Sequence, residues 1–189
     1  MISFILPAVV FGLLVADFYL IFVVAPEEAV QGLVQKIFYF HVSSAFAMYA
    51  GFLLSGLFAL LFLIRRRTSH FCHCIAGATV GFVFCTMVLV SGPIWAYPIW
   101  GTWWTWDPRL TTYTILALIY VAYLMLRQGL EDPGRRARFA AVYGILGFIS
   151  VPITFFSIRW WRTIHPVIIG SGDPTAQGTF DMTSPMMTG

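Results

Sequence analysis

Charge is what this sequence has least of: among 189 residues there are 11 Lys and Arg and 8 Asp and Glu, 10% of the chain, against 59% hydrophobic residues. A mean hydropathy of +0.83 excludes a water-soluble globular domain, in which about a quarter of the residues are charged. The chain reads as an integral membrane protein. Cysteine is scarce as well. Cys72, Cys74 and Cys85 are an odd number at irregular spacing, with neither Cys-x-x-Cys nor Cys-x-x-Cys-His among them, which argues against a disulfide framework and against covalent haem attachment. The net charge is +3, and the arginines fall in short stretches between apolar runs, so membrane topology accounts for them better than nucleic-acid binding does. No nucleic-acid motif, internal repeat or low-complexity tract is present.

What is there is a series of long apolar runs. Residues 2–24 form the first, 23 residues, enough to cross ~30 Å of hydrocarbon at ~1.5 Å per residue. It lacks a basic leader and precedes Ala25-Pro26, where proline disfavours signal cleavage, so it is expected to stay in the mature protein. Asp17 within it reads either as a functional acid facing protein or water, or as a snorkelling group near the outer end. Further spans are predicted over about residues 37–64, 75–90, 110–126 and 139–157, giving one all-α polytopic membrane domain over residues 1–189 with five transmembrane helices. Seven of the eleven basic residues sit after spans two and four, Arg65-Arg66-Arg67 foremost. The positive-inside rule puts those stretches, and the N-terminus, in the cytoplasm. Gly51 with Ser55, and Gly77 with Gly81, are small pairs at four-residue spacing that suit close helix packing.

Between spans three and four lies a tryptophan-rich segment, residues 95–111, containing Trp95, Trp100, Trp103, Trp104 and Trp106 followed by Asp107-Pro108-Arg109. Indoles at this density suit a membrane–water boundary or a broad planar ligand. Asp107-Pro108 also reads as the N-cap and first residue of the fourth helix. Five spans place this segment, the loop after span one and the polar tail of residues 159–189 on the outer face. His41 lies about one turn inside the outer end of span two, and His165 lies just beyond span five, after Trp160-Trp161-Arg162. Two imidazoles flanking an aromatic plate suit the axial ligation of haem iron, whose porphyrin asks for apolar walls and whose propionates ask for basic or hydroxyl partners. Arg109, Arg159 and Arg162 are the basic candidates. His70, Cys72, His73 and Cys74 cluster on the cytoplasmic side at a spacing that matches no standard zinc site.

The stretch Trp100-Gly101-Thr102-Trp103-Trp104-Thr105-Trp106-Asp107-Pro108-Arg109-Leu110-Thr111 resembles the tryptophan-rich WWD signature of the haem-handling proteins of cytochrome c maturation. Together with Phe40-His41-Val42 and Trp160-Trp161-Arg162-Thr163-Ile164-His165 it resembles the CcmC, or haem exporter protein C, family over nearly the whole chain. The resemblance implies that His41 and His165 are the axial ligands of haem b. Trp100, Trp103, Trp104, Trp106, Asp107, Arg109, Arg159 and Arg162 would form the rest of the site, on the periplasmic side of a bacterial inner membrane. It also implies delivery of haem to a periplasmic haem chaperone, with an ABC-transporter ATPase, its membrane subunit and a small single-span subunit as partners. The resemblance further implies a transfer protein and not an enzyme, with lyase-like assistance of haem attachment as the alternative. The sequence departs from the family in three places: the family carries a sixth span after the second histidine, Ser43 stands where it usually has proline, and Phe46 stands in the place of its tryptophan. A b-type electron-transfer subunit and a small-solute permease are the rival readings. The first usually buries haem between helices inside the bilayer, and the second needs more polar residues within its spans.

Overall fold

The computed structural model describes residues 2–27 and 31–165. The polar tail expected over residues 159–189 lies, from residue 166 on, outside the described residues, as does Glu28. Among the described residues five α-helices follow one another: α1 (Ile2–Tyr19), α2 (Gln35–Arg65), α3 (Thr68–Trp100), α4 (Pro108–Gly129) and α5 (Pro133–Trp160), with a π-helical turn, Leu20–Val24, continuing α1. All five are long and apolar enough to cross a membrane, and the chain is an all-α polytopic membrane protein.

The helix ends follow from local chemistry. Asp107 accepts the Leu110 N–H at 2.9 Å and Asp132 accepts the Gly134 N–H at 2.9 Å, and each is followed by proline, which lacks the N–H that a first helical position would leave unused. α2 stops at Arg66, which takes a left-handed conformation (φ 53°) and returns its N–H to Phe62 O, so α3 begins antiparallel two residues later. α3 stops at Gly101 (φ 69°), where glycine meets no Cβ penalty. It continues well past the end expected near residue 90, despite Pro93 and Pro98 inside it. Trp95 and Ala96 are buried in this extension, and tertiary packing of that kind carries a membrane helix through prolines that would end a soluble one.

α2 and α3 are pressed together at the small residues. A β-carbon on Gly51 would stand 2.8 Å from Gly81 Cα, and one on Gly77 would stand 2.8 Å from Gly51 O and from Ser55 N. Backbones this close gain the dispersion contact that drives helix association in lipid. α4 and α5 close the bundle around an aromatic middle, with Phe52 and Tyr120 stacked at 3.6 Å. The buried Tyr113 hydroxyl donates to Cys85 O at 3.0 Å, as a phenol in an apolar interior must find an acceptor. α1 stands apart. Its described side chains are exposed on every face, as suits a helix apolar all round and bathed in lipid. It is tied in at its far end by Lys36 Nζ, which donates to Phe22 O at 2.9 Å, and by the Phe18–Phe40 ring contact.

Candidate functional site

Antiparallel packing brings the start of α2, the end of α3, the start of α4 and the end of α5 to one end of the bundle. The arginine-rich turns after α2 and α4 fall at the other end. At the first end the four helices surround a largely apolar, partly open cavity lined by His41, Trp100, Trp103, Trp104, Arg109, Arg159 and His165 among others. The two histidines, 124 positions apart in sequence (165 minus 41), therefore share one space. Of the other residues singled out by sequence, Trp106 is 72% exposed and outside the lining, and Arg162 is exposed and outside it too. Asp107 stands behind His165 instead of on the wall.

Each imidazole rests on an indole, and the two indoles touch. Measured between ring centres, His41 lies 6.0 Å from Trp95, Trp95 lies 5.7 Å from Trp100, and Trp100 meets His165 edge-on at 5.3 Å. Trp95 is fixed in turn by its Nε1–H, which donates to Gln31 Oε1 at 3.2 Å, and by Phe38 at 5.5 Å. The His41 ring fits against α3 because Gly92 is there: a β-carbon on Gly92 would stand 3.1 Å from His41 Cε1. His41 Nδ1 is 2.9 Å from Ser91 Oγ, whose hydroxyl donates to Met87 O at 2.7 Å. His165 Nδ1 is 3.2 Å from Asp107 Oδ2, the Thr163 hydroxyl donates to the same oxygen, and the His165 N–H returns to Thr163 Oγ1 at 3.2 Å. Burial pushes the Asp107 carboxyl up, but hydrogen bonds from His165, Thr163 and the Leu110 N–H outweigh it and hold the group at about 2. Asp107 is thus a carboxylate at neutral pH with two tasks, capping α4 through one oxygen and orienting His165 through the other.

Arg109 is committed to the frame. Its Nη1 donates to Thr154 O at 2.6 Å and Phe155 O at 3.2 Å, and its guanidinium lies 5.9 Å over the Tyr49 ring. Trp103 stacks on Tyr97 at 4.4 Å and remains 57% exposed, as a shelf at the mouth. Three buried polar atoms on wall residues, Tyr49 Oη, Trp104 Nε1 and Thr105 Oγ1, have no hydrogen-bond partner among the described residues. Such atoms are costly unless a ligand or water satisfies them. Sequence reasoning named Trp104 as an aromatic face and missed Tyr49, Ser91 and Thr105, since a tyrosine, a serine and a threonine in or beside apolar runs carry no signal of their own. Away from the cavity, Cys74 is buried against Ser55 and Tyr123 while Cys72 is exposed, so two of the four His and Cys residues near the arginine triplet face different ways. Asp17 is exposed on α1 and absent from the cavity lining.

The family model for Heme exporter protein C, CcmC, matches residues 1–188. The chain belongs to the haem exporter protein C family. Members similar to it include Heme exporter protein C of Bradyrhizobium diazoefficiens, 37% identical over 75% of this chain and 54% of the relative. The protein of the same name from Escherichia coli K12 is 33% identical over 75% of this chain and 58% of the relative. A ccmC-like mitochondrial protein of cytochrome c biosynthesis from Marchantia polymorpha is 33% identical over 78% and 62%. The chain spans little more than half the length of the bacterial relatives it matches.

Proposed function

We propose that this haem exporter protein C family member binds haem b at the outer end of its bundle, between His41 and His165, and hands it to a periplasmic haem chaperone during c-type cytochrome assembly. The observation that carries the reading is that both imidazoles line one cavity and rest on one touching pair of indoles. The chemistry of the walls fits the ligand. Apolar and aromatic groups suit a porphyrin face, while Trp104 Nε1–H, the Thr105 hydroxyl and the Tyr49 hydroxyl, unpaired among the described residues, offer donors, and Arg159 a charge, for carboxylate edges. Contact with three indoles of about 150 Å² each, at about 25 cal/mol per Å², is worth roughly 11 kcal/mol as a gross ceiling. Ordering and desolvation reduce this greatly, which suits a site that must also let go.

The arginine-rich turns at the opposite end favour a cytoplasmic placement for that end and for the N-terminus, with the cavity facing the periplasm of a bacterial inner membrane. In this reading the chain works as a transfer protein beside an ABC-transporter ATPase, its membrane subunit and a single-span subunit. The test is a titration of the purified chain with ferric haem b, followed by visible spectra before and after dithionite. A low-spin spectrum with two nitrogen ligands is expected. His41→Ala and His165→Ala should each weaken retention and alter the spectrum; unchanged retention and spectra in both would refute axial ligation.

A further inference from the structure

The hydrogen bonds behind the two imidazoles carry more than orientation. A neutral imidazole has one N–H and one lone pair, and only the nitrogen with the lone pair can bind a metal. The single hydroxyl proton of Ser91 is directed to Met87 O at 2.7 Å, so toward His41 Nδ1, 2.9 Å away, Ser91 Oγ can act only as an acceptor. The proton must then sit on His41 Nδ1. At the other histidine, Asp107 receives the Leu110 N–H on Oδ1 and the Thr163 hydroxyl on Oδ2, the environment of a carboxylate, which has no proton to give. The contact at 3.2 Å is therefore also an Nδ1–H donation, from His165.

Resting on the haem reading above, we propose that Ser91 and Asp107 are positioning residues that fix both histidines in the Nδ1–H form, so that each ring presents an unprotonated Nε2 to iron, and that they make the two ligands unequal. A carboxylate partner draws on the N–H more strongly than a hydroxyl does and raises the basicity of the distal nitrogen. His165 is thus the stronger donor and His41 the weaker.

The experiment compares the full chain with Asp107→Asn, Ser91→Ala, Ser91→Thr, His41→Ala and His165→Ala, each titrated with ferric haem b and followed by visible and magnetic circular dichroism spectra. Asparagine caps a helix as well as aspartate does, so its Oδ1 keeps Leu110 N–H while its amide N–H faces His165 Nδ1. That arrangement stabilises the Nε2–H form, which cannot ligate. Asp107→Asn is expected to weaken haem binding by about 10–100-fold, the usual cost of losing an outer partner of a ligand, with loss of the low-spin signature and its recovery on adding imidazole. Ser91→Ala should fall at the low end of that range or below it, and Ser91→Thr should restore binding. If Asp107→Asn does not fold, Asp107→Ser, which also caps but is too short to reach His165, carries the same expectation. Wild-type spectra and affinity in the Asp107 and Ser91 variants, with His41→Ala and His165→Ala impaired, would overturn this proposal and leave axial ligation standing. Wild-type behaviour in the two alanine variants would instead overturn the haem reading beneath it.

Discussion

Gly51 and Gly81 meet backbone to backbone: a β-carbon on Gly51 would stand 2.8 Å from both Cα and N of Gly81. Neither atom can swing aside as a side chain would. Gly51→Ala is expected to push α2 from α3 and to cost about 1–3 kcal/mol, the range for overfilling a tight contact. Unfolding in detergent, followed by circular dichroism, measures it. Because α2 carries His41 and α3 carries Ser91, haem affinity should fall with it.

Gly92→Ala tests the seat of His41 itself. The new methyl would stand 3.1 Å from His41 Cε1, closer than a comfortable carbon–carbon contact of about 3.5 Å. The ring must tilt or slide, whereas the helix gains propensity from alanine. A variant of ordinary stability with weakened haem binding is expected, and a haem titration set against a thermal melt separates the two effects.

Arg109→Met tests whether this arginine serves the frame. Its Nη1 joins α4 to the Thr154 and Phe155 carbonyls of α5, and hydrogen bonds from a charged group contribute about 1.5–3 kcal/mol. A loss of that size in unfolding free energy is expected, and Arg109→Lys should recover only part of it, since an ammonium lacks the planar fork.

Trp100 and Trp106 should behave differently although they share one motif. Trp100 lines the cavity and meets His165 at 5.3 Å; Trp106 is 72% exposed and packs edge-on against Trp104. Trp100→Ala is expected to weaken haem binding by about 10-fold or more, equivalent to about 1.4 kcal/mol or more. Trp106→Ala should change it by less than about twofold. Equal losses measured in the same titration would show that the motif acts as one surface.

Much of this architecture was legible in the sequence because a bilayer leaves few choices. Long apolar runs must be helices, Arg65-Arg66-Arg67 must lie outside the hydrocarbon, and Asp107-Pro108 announces a helix start. The spacing of Gly51 with Ser55, and of Gly77 with Gly81, likewise signalled close helix packing, and the structure supplies the partners by setting the two pairs against each other. The end of α3 was not legible: prolines at 93 and 98 argue locally for a stop, and packing of Trp95 overrides them. In the candidate site, the histidines and tryptophans stood out as types and as a cluster. The pairing of Asp107 with His165 did not, because it joins residues 58 positions apart through a loop whose path no periodicity describes. Ser91 was hidden for a similar reason, as a serine on an apolar helix usually bonds only its own backbone.

Among the described residues, α1 meets the bundle near its far end, where Phe18 packs against Phe40 of α2 and Lys36 donates to Phe22 O of the π-helical extension. Phe40 is the residue before His41. The first helix is therefore anchored to the bundle beside the turn of α2 that bears this histidine.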